Sequence, residues 1–175
     1  MPSGFTVEQL QVQIPRLRRY ARALTGSREA ADDLVQDALE RAWTKRALWR
    51  PDSNLRAWLF AVMHNVFVNG IKRARPMASL DALNEDGGAE PIAGNASAET
   101  GAALREMSAA LAQLPMEQRQ VVLLVGLEQL TYAEAAEVLE VPIGTVMSRL
   151  SRGRDRLRQL LDESVDGRNG LRRVK

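Results

Sequence analysis

The spacing of the apolar residues constrains this chain more than any other feature of its sequence. Apolar residues recur every three or four positions in residues 1–76 and again in residues 101–165, with no alternating strand pattern. This period is typical of amphipathic helices. Residues 77–100 lack it and are rich in Ala, Gly, Asn and acidic residues, as flexible linkers are. The sequence therefore predicts an all-α chain, with two small helical domains joined by a flexible acidic linker and a tail over residues 166–175.

The composition excludes several classes of function. The 175 residues include no Cys and one His, so zinc, disulfide, thiol and Ser-His-Asp chemistry is excluded or has only His64 to build on. No acid–base pair or phosphate-binding loop stands out, and no apolar run approaches the roughly 20 residues of a membrane helix. We expect a soluble, cytoplasmic protein that is not an enzyme and has no metal site and no cofactor.

The charge is unevenly distributed, although the net charge is only +2. Basic residues outnumber acidic residues by 13 to 7 in residues 1–76 and by 9 to 4 in residues 145–175, whereas residues 77–104 hold 5 acidic and no basic residues. Basic clusters favour the approach of a phosphate backbone. A solvated basic face without a partner is an equally good explanation of the charge alone.

The first domain is predicted to contain two helices with unusual polar residues. Ser27 is the expected N-cap of a helix to about residue 45, along which an acidic stripe recurs at helical spacing: Asp33, Gln36, Asp37 and Glu40. Such a stripe is usually a solvated face. After a loop, Asn54 is the expected cap of a helix over residues 55–74 that is apolar on almost all sides. Its polar exceptions share one side: Asn65, Asn69 and Lys72.

The second domain has the spacing of a helix-turn-helix motif. Helices are expected over about residues 98–114 and 115–127, the second with Pro115 at its first position. A capping box, Thr131 to Glu134, then opens a short helix, and a turn at Pro142 leads into a long one. Hydroxyls and arginines near the start of such a helix can reach base edges and phosphates. Helical hairpins without a DNA partner share this pattern.

Together these motifs resemble the extracytoplasmic-function (ECF) group of the sigma-70 family, bacterial sigma factors with a region 2 domain, a linker and a region 4 domain. Four segments carry the resemblance: DDLVQDALERAW at 32–43, LRAWLFAVMHNVFVN at 55–69, LPMEQRQVVLL at 114–124 and LTYAEAAEVLEVPIGTVMSRLSRGRDRLRQLL at 130–161. The opening QIPRLRRYARALTG is most similar to the subgroup associated with general stress responses.

The resemblance implies a sigma factor that directs promoter-specific transcription initiation. Residues 1–76 would be region 2, which binds the β′ clamp of core RNA polymerase and the −10 element. Residues 101–165 would be region 4, which binds the β flap and the −35 element, and the linker would follow the path of nascent RNA. An anti-sigma factor would control the chain, and would hold it at the membrane if that factor is a membrane protein.

The resemblance also implies roles for particular residues. The residues expected to bind core polymerase are Asp33, Leu34, Gln36 and Asp37. Those expected to bind the −10 element are Trp49, Arg50, Asn54, Asn65, Asn69, Lys72 and Arg73. Those expected to bind the −35 element are Thr145, Met147, Ser148, Arg149, Ser151 and Arg152.

Two of these −10 residues have structural alternatives. The loop from Leu48 to Asn54, with Asn65 behind it, would form a pocket for a base flipped out of the −10 element. Trp49 would stack on that base, or it would be tucked into the core. Asn65 would line the pocket, or it would satisfy a neighbouring carbonyl as a buried residue.

The sequence departs from the family pattern at two positions. Family members commonly have Gly where this chain has Glu140, at a turn where a left-handed backbone costs other residues roughly 1 to 2 kcal/mol. They often have a polar or basic residue where this chain has Met147, which predicts a different promoter preference.

Two other functions fit parts of the pattern. A sigma-like decoy would sequester an anti-sigma factor without binding DNA, but such decoys usually sit beside a receiver domain. A dimeric helix-turn-helix regulator would form a stable homodimer on palindromic sites, whereas a sigma factor free of its partners is expected to be a monomer.

Overall fold

The structure, a computed structural model, describes residues 4–74 and 98–171. Within these ranges the chain is helical and has no strand, which confirms the predicted fold class. The predicted linker lies almost wholly outside the described residues. The helices are α1 (Val7–Thr25), α2 (Arg28–Thr44), α3 (Leu55–Ala74), α4 (Ala98–Ala112), α5 (Met116–Val122), α6 (Tyr132–Leu139) and α7 (Ile143–Leu171).

Three helices begin at the capping residues predicted from the sequence. The Ser27 hydroxyl accepts a hydrogen bond from the backbone N–H of Ala30 at 3.3 Å, and the Asn54 side chain accepts one from Arg56 at 3.0 Å. Thr131 and Glu134 form the predicted capping box, with the Thr131 N–H donating to the Glu134 carboxylate at 2.8 Å. These bonds satisfy backbone donors that the first turn of a helix leaves unpaired.

The second half of the chain differs from prediction at three helix ends. Pro115 is the N-cap of α5 rather than its first helical residue, because its ψ of 140° is extended. After α5 the chain makes a π-helical turn, Leu123–Leu127, in which the N–H of Glu128 donates to the carbonyl of Leu123 at 2.9 Å. Helix α7 continues to Leu171, beyond the domain end predicted at residue 165.

Each half of the chain has its own helix packing. In the N-terminal unit, α1 to α3, the rings of Tyr20 and Phe60 meet edge to face at 5.1 Å between centroids. In the C-terminal unit, α4 to α7, α7 crosses α5 at Gly153. A Cβ atom at that position would lie 2.8 Å from the Cγ2 atom of Val122, so only glycine lets the two helices approach this closely.

The two units pack against each other rather than standing apart. Helix α3 of the N-terminal unit lies along α6, and α1 packs on the π-helical turn. Their buried apolar side chains form one continuous core. The sequence predicts two domains on a tether and no particular arrangement between them.

The turn between α6 and α7 contains a non-glycine residue in the left-handed region. Glu140, the C-cap of α6, has φ 54° and ψ 43°. This is the conformation that favours the glycine of the family pattern, so Glu140 carries a backbone cost of roughly 1 to 2 kcal/mol.

We therefore expect Glu140→Gly to raise the free energy of unfolding by about 0.5 to 1 kcal/mol, since the relief of strain exceeds the extra entropy that glycine has in the unfolded chain. The midpoint of thermal unfolding, followed by circular dichroism, should rise by about 2 °C. Glu140→Ala removes the same carboxylate but keeps the strain, and is the matched control. Equal midpoints for the two variants would contradict this account of the turn.

Candidate functional site

Helix α2 presents the acidic stripe to solvent. Asp33, Gln36 and Asp37 are exposed, whereas the opposite side of the helix is buried against α1 and α3. The Gln36 amide donates a hydrogen bond to the Glu40 carboxylate at 3.2 Å. Within the described residues no ion pair joins Asp33 or Asp37 to a basic side chain. These two carboxylates are therefore available to a cationic partner.

The prediction that Leu34 belongs to this surface is wrong. Leu34 is 7% exposed and lies on the buried side of α2 with Ala31, Val35 and Ala38. Successive residues of a helix are about 100° apart, so Leu34 and Asp33 point in different directions.

Trp49 is also buried, which supports its structural alternative. Its side chain is 8% exposed, and its ring meets that of Phe5 edge to face at 6.0 Å between centroids. In this arrangement it has no free face for a flipped base, so the predicted stacking role is wrong here. The exposed aromatic residue nearby is Trp43, with the guanidinium of Arg46 4.5 Å from its ring centroid. Trp43 carries no separate signal in the sequence because it lies within the helical period of α2.

The other predicted −10 residues lie along one exposed strip. Arg50 is exposed in the loop and pairs with Asp52 at 3.4 Å. Asn54 caps α3 and donates a hydrogen bond from its amide to Glu134 of α6. Further along the same helix the polar side chains are all exposed: Asn65, Asn69, Lys72 and Arg73. The alternative of a buried Asn65 is therefore wrong.

The geometry of α3 gives the length of this strip. Asn54, Asn65 and Lys72 fall on one side of the helix, since their spacings are close to whole turns. At 1.5 Å per residue, however, Asn54 and Lys72 are about 27 Å apart along the axis. The strip is thus long enough for several nucleotides rather than a single compact pocket.

Helix α7 exposes most of its predicted −35 residues. Val146 and Leu150 anchor the helix in the core, as predicted, while Met147, Ser151 and Arg152 are exposed. Thr145 and Ser148 are half-buried, and the Ser148 hydroxyl donates to the carbonyl of Thr145 at 3.1 Å.

Arg149 faces a different direction from the rest of this set. Its guanidinium pairs with the Glu117 carboxylate of α5 at 2.9 Å, and its side chain is 22% exposed. It also lines a cavity of about 530 Å³ between the two units, together with Lys72 and His64 of α3. The structure therefore separates Arg149 from the outer face of α7 and places it near a predicted −10 residue.

A groove between α6 and α7 adds a residue that the sequence analysis did not name. Tyr132, the first residue of α6, lines it together with Met147, Ser151 and Arg154. Met147 is 53% exposed there, so the groove combines an apolar patch with a charged rim in which Arg158 pairs with Asp155 at 3.2 Å. Tyr132 has no separate signal in the sequence because it lies inside the capping box.

Glu134 is a titratable group at these surfaces whose pKa is shifted by its surroundings. Burial raises its pKa, but hydrogen bonds from Thr131 and Asn54 outweigh burial and hold the pKa below its ordinary value. The carboxylate is therefore charged at neutral pH. Among residues 4–74 and 98–171, no cluster of three or more potential metal ligands occurs and no helix is long and apolar enough to cross a membrane.

An all-α chain with an exposed acidic helix, a polar and basic strip and a helix-turn-helix motif has the features of a DNA-binding transcription factor with a protein partner. Two family models match its two halves. The model described as "Sigma2 domain of PhyR" matches residues 10–64, and that described as "Sigma-70, region 4" matches residues 104–157.

Individual relatives extend the likeness over most of the chain. The ECF RNA polymerase sigma factor EcfG of Rhodopseudomonas palustris is 34% identical over 161 residues, which cover 91% of this chain and 86% of that protein. The chain therefore belongs to the ECF RNA polymerase sigma factors, and the family inferred from the four sequence segments is confirmed. Its relatives are regulators of transcription rather than catalysts.

Two solved structures share the fold. The sigma factor RpoE of Bartonella quintana, in complex with the anti-sigma factor NepR, aligns with a TM-score of 0.73 and 32% identity, covering 89% of this chain and 95% of that one. The anti-anti-sigma factor PhyR of Bartonella quintana, also with NepR, aligns with a TM-score of 0.58 and 20% identity, covering 87% of this chain and 49% of that one.

Proposed function

We propose that this sigma factor binds core RNA polymerase through α2 and reads promoter DNA through α3 and α7. The observation that carries the proposal is the two-sided character of α2, whose apolar side is buried and whose other side carries the unpaired carboxylates of Asp33 and Asp37. Carboxylates paired with arginines of a partner form charge-assisted hydrogen bonds that are stronger than neutral ones. The expected partner surface is the β′ clamp.

The domain assignment follows the same proposal. Region 2 corresponds to residues 1–76 and includes α1 to α3, and residues 77–100 form the linker. Region 4 begins near residue 101, binds the β flap and includes α4 to α7. Because α7 continues to Leu171, we extend region 4 beyond residue 165. The polymerase partner implies that the chain acts in the bacterial cytoplasm.

We assign the −10 element to the strip on α3 and its preceding loop. Lys72 and Arg73 are exposed at the C-terminal end of α3 and are suited to phosphate contacts, which fix position without reading sequence. Asn65 and Asn69 offer amides that can hydrogen-bond to base edges. Arg50 and Asn54 are assigned to contact the DNA at the opposite end of the strip.

We assign the −35 element to the outer face of α7. Ser151 and Arg152 are its most exposed members, with Thr145 and Ser148 behind them. Met147 and Tyr132 add an apolar patch beside this face. In the major groove the apolar group that distinguishes one base from the others is the methyl group of thymine.

Met147 is therefore expected to contact a thymine methyl group in the −35 element. Replacing that thymine with uracil removes one methyl group and should weaken binding of the polymerase–sigma complex about fourfold, from the value of about 0.8 kcal/mol per buried methylene-sized group. Fluorescence anisotropy with a set of promoter duplexes, each with one thymine replaced, measures this loss. Met147→Lys is the control, since its binding should not respond to the same replacement. If no uracil-containing duplex distinguishes the wild-type chain from Met147→Lys, Met147 does not read a methyl group.

Control by an anti-sigma factor is the remaining part of the proposal. RpoE of Bartonella quintana, similar over 89% of this chain, forms a complex with the anti-sigma factor NepR. We infer a NepR-like protein as the regulator of this chain. A membrane location would depend on that partner being anchored there.

A decoy function is the second candidate, because PhyR shares the fold and the family model for the first domain carries its name. Titration of the purified chain against bacterial core RNA polymerase, followed by run-off transcription from randomised promoters, separates the two. A sigma factor binds core polymerase and yields transcripts from selected promoters. A folded chain that binds neither polymerase nor promoter would overturn the proposed function and favour the decoy.

A further inference from the structure

The cavity between the two units, about 530 Å³, has the size of a small-molecule site. Ligand-binding cavities in proteins commonly have volumes of about 300 to 1,000 Å³, whereas close-packed interiors contain few voids larger than a water molecule. One wall of the cavity is α3, and the facing wall comes from α5, α6, the turn that follows α6, and α7. Unfilled space of this size forfeits dispersion contacts along both walls. A ligand that restored these contacts would therefore bind favourably.

The walls of this cavity are mainly apolar. A water molecule placed against such walls finds few hydrogen-bond partners, so the walls suit a hydrocarbon group. The apolar lining consists of six side chains: Phe67, Val68, Ile71, Met116, Leu139 and Val141.

Hydrogen bonds between the units hold the two walls in place. The side chains of His64 and Gln120, which both line the cavity, join α3 to α5 at 3.3 Å. The Asn54 amide joins the start of α3 to Glu134 of α6. The cavity is therefore preformed, and a ligand would enter it without the cost of reorganising its walls.

The cavity extends along α3. His64 and Lys72 both line it, and at 1.5 Å per residue they are about 12 Å apart along the helix axis. The polar side chain of His64 is already bonded to Gln120, whereas Lys72 is exposed. This shape matches a ligand with an extended apolar chain and a polar group at one end.

The charges that line the cavity leave one cation for a ligand. The Glu117 carboxylate pairs with Arg149 at 2.9 Å. Burial holds the pKa of His64 below its ordinary value, so this imidazole is neutral at pH 7. Within the described residues no ion pair joins Lys72 to a carboxylate. The ammonium group of Lys72 is therefore available to an anionic head group.

We propose that this cavity binds a small amphipathic anion, a straight-chain carboxylate, with its hydrocarbon chain between α3 and the C-terminal unit and its head group at Lys72. The apolar walls take the chain, and the exposed cation takes the carboxylate, which stays in contact with water. The site is formed by the chain alone and does not depend on the proposed function.

Isothermal titration calorimetry of the full chain with octanoate and decanoate tests the apolar part of the site. Each added methylene that is buried should raise the affinity about fourfold, from about 0.8 kcal/mol per methylene. Decanoate should therefore bind about fifteenfold more tightly than octanoate, with one molecule per chain. Val68→Phe fills part of the cavity and should weaken decanoate binding about tenfold or more. Val12→Phe makes the same change at an exposed position of α1 and should bind decanoate as the wild-type chain does.

Lys72→Met tests the head group, because methionine keeps an apolar side chain and removes the charge. The ratio of decanoate affinity to decanol affinity should fall about fivefold in this variant, as expected for the loss of an exposed ion pair. The ratio cancels any effect of the substitution on the apolar walls, which act on both ligands. Lys45→Met makes the same change at the exposed C-cap of α2 and should keep the wild-type ratio.

The outcomes separate the two parts of the proposal. No binding of decanoate by the wild-type chain, or wild-type affinity in a Val68→Phe chain with unchanged helical circular dichroism, would overturn the site. An unchanged ratio in folded Lys72→Met would overturn the assignment of an anion. Because Lys72 is exposed, this second comparison remains decisive even if Val68→Phe does not fold.

Discussion

Asp37→Arg is expected to lower the affinity of the chain for core RNA polymerase about thirtyfold or more while leaving the fold intact. Asp37 lies on the exposed side of α2, and within the described residues no ion pair depends on it. Loss of one partner of a close interfacial charge pair costs about 2 to 5 kcal/mol, and each 1.4 kcal/mol is a factor of ten in affinity. Reversal of the charge adds repulsion from the arginines proposed for the partner surface.

Equilibrium titration of labelled core polymerase, without DNA, measures this loss. Asp52→Arg is the matched control, since it makes the same change of charge at an exposed position of the same unit but outside the stripe. Circular dichroism should show equal helicity for both variants. An equal affinity for Asp37→Arg and the wild-type chain would mean that the stripe is a solvated face.

Arg152→Ala is expected to weaken −35 binding about tenfold and to reduce the slope of log affinity against log salt by about 1, as the loss of one phosphate contact does. Arg152 is exposed on the outer face of α7. Arg149→Ala should have a smaller effect, because Arg149 is paired with Glu117 on the side facing α5. The two substitutions therefore compare equal changes of charge on two sides of one helix.

Anisotropy titrations of a −35 duplex with the polymerase–sigma complex, at several salt concentrations, give both quantities. The loss of an exposed ion pair contributes roughly 0 to 1 kcal/mol to stability, so Arg149→Ala should remain folded. If Arg149→Ala reduces the salt slope as much as Arg152→Ala does, then α7 meets DNA through the side that faces α5 in the free chain.

Local features of this fold could be predicted from the sequence because they depend on neighbouring residues. The caps at Ser27, Asn54 and Thr131 each join atoms two or three residues apart, and the helical period assigned the buried side of α2. Leu34 was a misassignment of another kind: the 100° step between helix residues already separated it from Asp33. The four family segments supplied the functional class.

The contacts that decide where single side chains point could not be predicted in this way, because they join residues far apart in the chain. Trp49 is buried by Phe5, 44 positions earlier, and Arg149 is held by Glu117, 32 positions earlier. The pairing of Arg19 with Glu128 spans 109 positions and leaves no periodic signal in the chain. The complete burial of Glu128 is found with both units packed together, and such a contact between distant segments has no local signature in the sequence.

Gly153 lies on the side of α7 that packs against α5, and it determines how closely and at what angle the two helices cross. Because α7 contributes no side chain at this point and packs directly against Val122 and Gln118 of α5, the angle of the helix depends on residues outside the predicted −35 set. The outward positions, among them Met147, Ser151 and Arg152, can then change without refolding of the domain. Promoter preference can thus change through substitutions on one face of α7, while the residues that orient the helix stay the same.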